Sequence, residues 1–128
     1  PRDTKITKSD NGTMIVDYPA FVDNQTSGIL DIVRIERGPD TTKVSFDMSY
    51  LPDLWITISP QSYLFTPDGQ RYKLTGSEGI IPGEEYYTDK DGKGSFTLMF
   101  EPLPEHATEI GFKEGDESHW LITGVKLR

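Results

Sequence analysis

The chain contains no cysteine and no long hydrophobic run, and both absences narrow its possible functions. Without thiols it cannot form a disulfide framework or a zinc–thiolate site, and it has no cysteine nucleophile. No segment approaches the roughly 20 apolar residues of a membrane-spanning helix, and no secretory hydrophobic segment stands at the start. Because the chain opens on Pro1 rather than methionine, the missing leader does not weigh against export.

Basic residues are also scarce. The sequence has 13 lysines and arginines against 21 acidic residues, which gives a formal net charge of −8. A polyanion would meet net repulsion from such a chain before any local contact formed. Nucleic acid is therefore excluded as an expected partner, and we expect no direct insertion into a membrane.

The apolar residues that are present follow the two-residue period of β-strands. Residues 42–50 alternate most strictly, and the predicted inward side chains are Val44, Phe46, Met48 and Tyr50. Residues 29–37 carry apolar side chains on both parities, and we predict that Val33 and Ile35 face inward. Pro67, Asp68 and Gly69 predict a tight hairpin turn.

About eight or nine short strands are predicted, with turn signals roughly every ten residues and no helix longer than a turn. This pattern favours an all-β fold, an antiparallel immunoglobulin-like β-sandwich, with a small β-barrel as the alternative. At 128 residues the chain suits one domain. We predict a flexible N-terminal arm over residues 1–12 and a single sandwich over residues 13–128.

Several aromatic and turn positions resemble a β-sandwich module of secreted Gram-negative gut bacterial proteins, of the kind found beside thioredoxin-type domains. The matching segments are Trp55-Ile56-x-Ile58, Tyr63-Leu64, Asp68-Gly69, Tyr72-Lys73-Leu74, Gly94-x-Phe96-x-Leu98-x-Phe100-Glu101-Pro102-Leu103-Pro104 and Trp120-x-Ile122-x-Gly124-Val125-x-Leu127. The resemblance implies an extracytoplasmic accessory domain, periplasmic or at the cell surface. It implies no catalytic residue, and without a Cys-x-x-Cys pair this chain alone cannot perform thiol redox chemistry.

The acidic segment 84–94 is a candidate calcium loop. Asp89 and Asp91, together with the glutamates Glu84 and Glu85, could supply the oxygen ligands that calcium prefers. The segment does not match the twelve-residue calcium-binding loop of helix-loop-helix proteins. Lys93 occupies one of the ligand positions of that loop, and Phe100 stands where the loop has its bidentate glutamate. The alternative is a solvated acidic hairpin turn.

Aromatic side chains are the second candidate, as a platform for sugar rings. The candidate side chains for this platform are Trp55, Tyr63, Tyr86, Tyr87 and Trp120. Trp55 and Trp120 are assigned to the core, because such residues supply much of the burial in small sandwiches. Tyr86 and Tyr87, with Glu85 as a hydrogen-bonding carboxylate, remain as candidate ligand-binding residues.

No sequence pattern indicates an enzyme or a cofactor. His106 and His119 fall in a proline-rich crossover and before the last strand, where surface positions are expected, and no nucleophile elbow, phosphate-binding glycine loop or metalloprotease pattern occurs. We expect a non-catalytic, exported accessory or interaction domain whose partner is another domain or protein of the cell envelope. The alternative is a carbohydrate-binding module that uses loop aromatics, with or without calcium.

Overall fold

The computed structural model of the protein describes residues 3–128, and within them the chain is all-β, as predicted. The strands are β1 (Lys5–Lys8), β2 (Met14–Asp17), β3 (Asp23–Asn24), β4 (Leu30–Arg37), β5 (Thr42–Ser49), β6 (Trp55–Ile56), β7 (Tyr63–Phe65), β8 (Arg71–Glu78), β9 (Tyr86–Tyr87), β10 (Lys93–Phe100), β11 (Glu109–Lys113) and β12 (Leu121–Lys126). In this part of the chain, no helix has the length and apolar character needed to cross a membrane.

Ten of the strands form one antiparallel sheet, in the order β1-β2-β4-β5-β10-β8-β7-β11-β12-β3. β8 joins its two halves, because its residues 71–73 pair with β7 whereas Leu74 and residues 76–78 pair with β10. The sheet curls at this strand, so that its two halves face each other across the core. This arrangement is consistent with both predicted architectures, the β-sandwich and the small barrel.

A β-bulge in β4 explains why apolar residues occur on both parities of this strand. The register against β5 shifts between Ile32 and Arg34, so the extra residue Val33 moves the inward face by one position. Ile32 and Ile35 are buried and Val33 is only half-buried. The prediction that Val33 faces inward together with Ile35 was wrong, because strict alternation does not hold across a bulge.

Part of the segment predicted as a loose arm is a strand. Residues 5–8 form β1 and pair with β2 in the antiparallel register, while all their side chains remain exposed. No hydrophobic pattern marks β1, because its hydrogen bonds are made by the backbone and none of its side chains is buried. Pro1 and Arg2, at the start of the predicted arm, lie outside the described residues.

Aromatic rings connect the two halves of the sheet. Phe112 in β11 lies with its ring centroid 5.0 Å from that of Phe46 in β5 and 6.3 Å from that of Phe100 in β10. All three side chains are almost completely buried. β5 and β10 belong to one half of the sheet and β11 to the other, so these rings hold the halves together.

We expect Phe112→Ala to lower the free energy of unfolding by about 3–5 kcal/mol, because it leaves a cavity between the two halves. Urea denaturation at neutral pH measures the change. Phe21→Ala is the matched control, since Phe21 is 49% exposed and its loss should change stability by no more than about 0.5 kcal/mol. Equal effects of the two substitutions would contradict this account of the core.

Two acidic residues lie directly opposite each other on the outer face of the sheet. Asp31 in β4 is the register partner of Asp47 in β5. The pKa of Asp31 is raised above its ordinary value of 3.8, first by partial burial and then by the charge of Asp47. The ionised form of Asp31 is therefore disfavoured in the folded protein, and like charges across a strand pair destabilise a sheet.

Asp31→Asn should stabilise the protein at pH 7 by about 0.2–1 kcal/mol, because it removes this repulsion. Since the folded pKa is raised, the contribution of Asp31 to stability is complete below its ordinary pKa and is lost as the pH rises through the folded pKa. The gain should therefore disappear below pH 3.8. Urea denaturation of the wild type and of Asp31→Asn at pH 7 and below pH 3.8 tests this prediction. Asp10→Asn, in the exposed β1–β2 turn, is the control. An equal gain in stability from the control at pH 7 would contradict the role of the Asp31–Asp47 repulsion.

Candidate functional site

The two-stranded sheet of β6 and β9 presents an aromatic pair to solvent. Trp55 and Ile56 pair with Tyr87 and Tyr86, respectively. Thr88 N–H donates to the Leu54 carbonyl oxygen at 2.8 Å, which makes the adjacent Trp55–Tyr87 pair a non-hydrogen-bonded one, the type in which side chains lie closer together. Ile56 is buried, whereas Trp55 is 47% and Tyr87 56% exposed.

The loop before β6 is held against this small sheet by Thr88. The buried hydroxyl of Thr88 lies 2.8 Å from the carbonyl oxygen of Leu51 and 3.1 Å from that of Leu54, and it accepts the Leu54 N–H at 3.2 Å. These bonds fix the backbone of residues 51–54 beside β9. We call the exposed aromatic side chains at this end of the sheet, Tyr50, Trp55 and Tyr87, the aromatic corner.

A cleft of about 240 Å³ adjoins the aromatic corner at one end of the sandwich. It is lined by Ile29, Tyr50, Trp55, Ile56, Thr57, Glu114 and Trp120. Glu114 follows β11 directly, and its Oε2 accepts the backbone N–H of Ser59 at 2.5 Å. The cleft thus combines three aromatic side chains with one carboxylate that is held in place from the neighbouring loop.

Tyr86, a predicted ligand-binding residue, points away from the aromatic corner. Its ring lies edge-on to Phe96 at 5.4 Å, and a Cβ at Gly94 would come within 2.8 Å of it. Its hydroxyl donates to the Ser95 carbonyl oxygen at 2.9 Å and accepts the Ser95 N–H at 3.1 Å. These contacts engage both the ring and the hydroxyl of Tyr86 in fixing β9 against β10.

Tyr87 and Glu85, the other predicted ligand-binding residues, lie together at the surface. The Tyr87 hydroxyl donates to Glu85 Oε1 at 2.7 Å, and both residues are exposed. This hydrogen bond to the carboxylate is the main cause that raises the pKa of Tyr87. The Tyr87 side chain is 56% exposed, and Glu85 Oε2 makes no hydrogen bond within residues 3–128.

The predicted metal ligands belong to a hairpin turn. Asp89 Oδ1 accepts the backbone N–H groups of Asp91 and Lys93 at 2.8 and 2.9 Å, so this carboxylate closes the turn. Across residues 3–128, no group of three or more histidine, cysteine, aspartate or glutamate side chains is arranged to hold a metal ion. The geometry of the turn does not bring Asp91 and Glu85 to Asp89 as a set of ligands.

The assignment of Trp55 to the core was wrong, and Trp120 is only partly buried. Trp55 alternates with buried Ile56, but β6 has two residues and its second face has no layer above it. Tyr63, the remaining platform candidate, is occupied elsewhere, with the Arg71 guanidinium 4.3 Å from its ring centroid and its hydroxyl donating to Asp116 at 2.9 Å.

Tyr50 and Glu114 line the cleft, although the sequence does not predict either of them as a site residue. Tyr50 has the parity of the core side chains of β5, yet it is 39% exposed because the strand ends at Ser49. Glu114 carries no local signal, since it reaches the cleft only through the pairing of β11 with its neighbours.

Comparison of the chain with protein-family models, curated proteins and solved structures returns no match.

The two tyrosines of β9 should respond differently to loss of the hydroxyl. Tyr86→Phe removes both bonds to Ser95 and should cost about 1–2 kcal/mol of stability. Tyr87→Phe removes one bond to an exposed carboxylate and should change stability by no more than about 0.5 kcal/mol. Thermal and urea denaturation of the two variants provide the measurement, and the reverse order would show that Tyr86 is not the structural residue.

Proposed function

We propose that this chain is a non-catalytic, extracytoplasmic accessory domain with an immunoglobulin-like sandwich fold, and that it binds carbohydrate through the aromatic corner. The observation that carries the proposal is the exposed Trp55–Tyr87 pair beside a cleft that holds a carboxylate. Aromatic faces can stack on the apolar faces of sugar rings, and carboxylates accept hydrogen bonds from hydroxyl groups. Export rests on the resemblance of the strand and turn segments to modules of secreted bacterial proteins.

The clustering of exposed apolar side chains supports a binding role for the aromatic corner. Single exposed apolar residues are ordinary on protein surfaces. Here Trp55 and Tyr87 are register partners, and Tyr50 and Trp55 line the same cleft. Tyr50, Leu51 and Leu54 lie in the loop that leads into Trp55, and the Thr88 hydroxyl holds this loop in place. An aromatic surface with a fixed backbone loses little conformational freedom on binding, which favours affinity.

The proposal includes no catalytic step. Glycoside hydrolysis ordinarily uses two carboxyl groups that flank the scissile bond. The described residues that line the cleft include one carboxylate, Glu114, and its Oε2 is engaged by the Ser59 N–H. This arrangement supports holding a sugar rather than cleaving it.

A glycan array that includes neutral and acidic oligosaccharides, followed by isothermal titration of the best ligand, tests the proposal. We expect Trp55→Ala and Tyr87→Ala each to weaken binding about tenfold or more, because each removes a stacking surface. Phe21→Ala, which removes an equally exposed aromatic ring outside the corner, should leave the affinity unchanged.

Two outcomes would contradict the proposal. One is a wild-type protein that binds no glycan on the array, which would favour docking of a companion protein domain on the same surface. The other is glycan binding that Phe21→Ala weakens as much as Trp55→Ala does.

A further inference from the structure

The cleft beside the aromatic corner has a size and a charge that restrict which sugar it accepts. We propose that it takes a single neutral pyranose ring, with Glu114 as the hydrogen-bond acceptor that excludes acidic sugars. This inference rests on the proposed carbohydrate binding, and it adds the ligand class and the residue that determines specificity.

The cleft is a small depression that is open to solvent. At about 240 Å³ it falls below the roughly 300–1,000 Å³ of pockets that enclose drug-sized molecules. Trp55 belongs both to the wall of the cleft and to the exposed pair with Tyr87. One ring can therefore occupy the cleft while the next unit of an oligosaccharide lies over the aromatic corner outside it.

Glu114 is positioned before any ligand arrives. The Ser59 N–H holds its Oε2 at 2.5 Å, and the half-buried side chain stands on the cleft wall. Its Oε1 has no hydrogen-bond partner among the described residues and can accept from a sugar hydroxyl. A bond from a neutral donor to an ionised acceptor is stronger than one between neutral groups, so this carboxylate favours a ligand rich in hydroxyls.

The same carboxylate opposes an anionic ligand. The residues that line the cleft include no lysine or arginine, and Glu114 is the charged one among them. Lys113, its neighbour in the chain, donates its amino group to the Ser118 carbonyl oxygen. A uronate carboxylate in the cleft would lie beside Glu114 in a chain of net charge −8, and no lysine or arginine lines the cleft to offset the repulsion.

Matched pairs of oligosaccharides that differ only in oxidation at C6 test this selectivity. The probes are oligomers of glucose, mannose and galactose, each with its uronate counterpart, titrated into the wild-type domain by calorimetry. We expect at least one neutral oligomer to bind about tenfold or more tightly than its uronate at low salt. Because Coulomb repulsion is screened by salt, the ratio should fall as ionic strength rises.

Glu114→Gln removes the charge and keeps an oxygen that can accept the Ser59 N–H. We expect it to reduce the ratio of neutral to acidic affinity about fivefold or more, while Trp120→Ala weakens both ligands of a pair equally. Tyr63→Phe serves as a control outside the cleft and should leave the ratio unchanged. Urea denaturation of each variant establishes that the fold is retained.

The outcomes separate this inference from the proposed function. If the wild type binds sugars in a Trp55-dependent way but Glu114→Gln leaves the ratio unchanged, or uronates bind as tightly as neutral sugars, the inference is overturned and carbohydrate binding stands. If the wild type binds no sugar at all, both are overturned. A salt-independent ratio would also overturn the role of the Glu114 charge.

Discussion

The packing of Phe112 against Phe46 and Phe100 is the contact on which the rest of the structure depends. It joins the half of the sheet that contains β5 and β10 to the half that contains β11. The curl at β8 brings these halves face to face, and burial of the rings supplies the free energy that keeps them there. The cleft lies at one end of this core, where β11 leads into Glu114 and the loop before β12 supplies Trp120.

The small sheet of β6 and β9 shows how one constraint produces both a buried structural pair and an exposed aromatic pair. Side chains of a strand alternate between two faces, so Ile56 and Tyr86 point to the sandwich while Trp55 and Tyr87 point away from it. Tyr86 is fixed by its ring contact with Phe96 and its two bonds to Ser95. The contacts of the inner pair hold the outer pair in position, which is what the proposed stacking surface would require.

Much of the fold follows from local patterns, and most of the candidate site does not. The alternation in residues 42–49 and the Pro67-Asp68-Gly69 turn were both predictable, because each reflects burial or backbone geometry within a few neighbouring residues. β1 and the bulge at Val33 were not, since backbone pairing without burial leaves no hydrophobic pattern and a bulge interrupts one. Trp55 was assigned to the core because a strand pattern reports which side chains share a face, and it does not report whether a second layer covers that face.

The sequence by itself determined the all-β character of the protein, the absence of cysteine thiols and the net negative charge. These properties follow from composition and from the two-residue period, which need no knowledge of distant contacts. Only the tertiary structure decided that Trp55 and Tyr87 are exposed together, that Tyr86 serves the core, and that Glu114 and Trp120 meet Tyr50 in one cleft. Tyr50 is far along the chain from Glu114 and Trp120, and the pairing of strands across the curled sheet brings it to them.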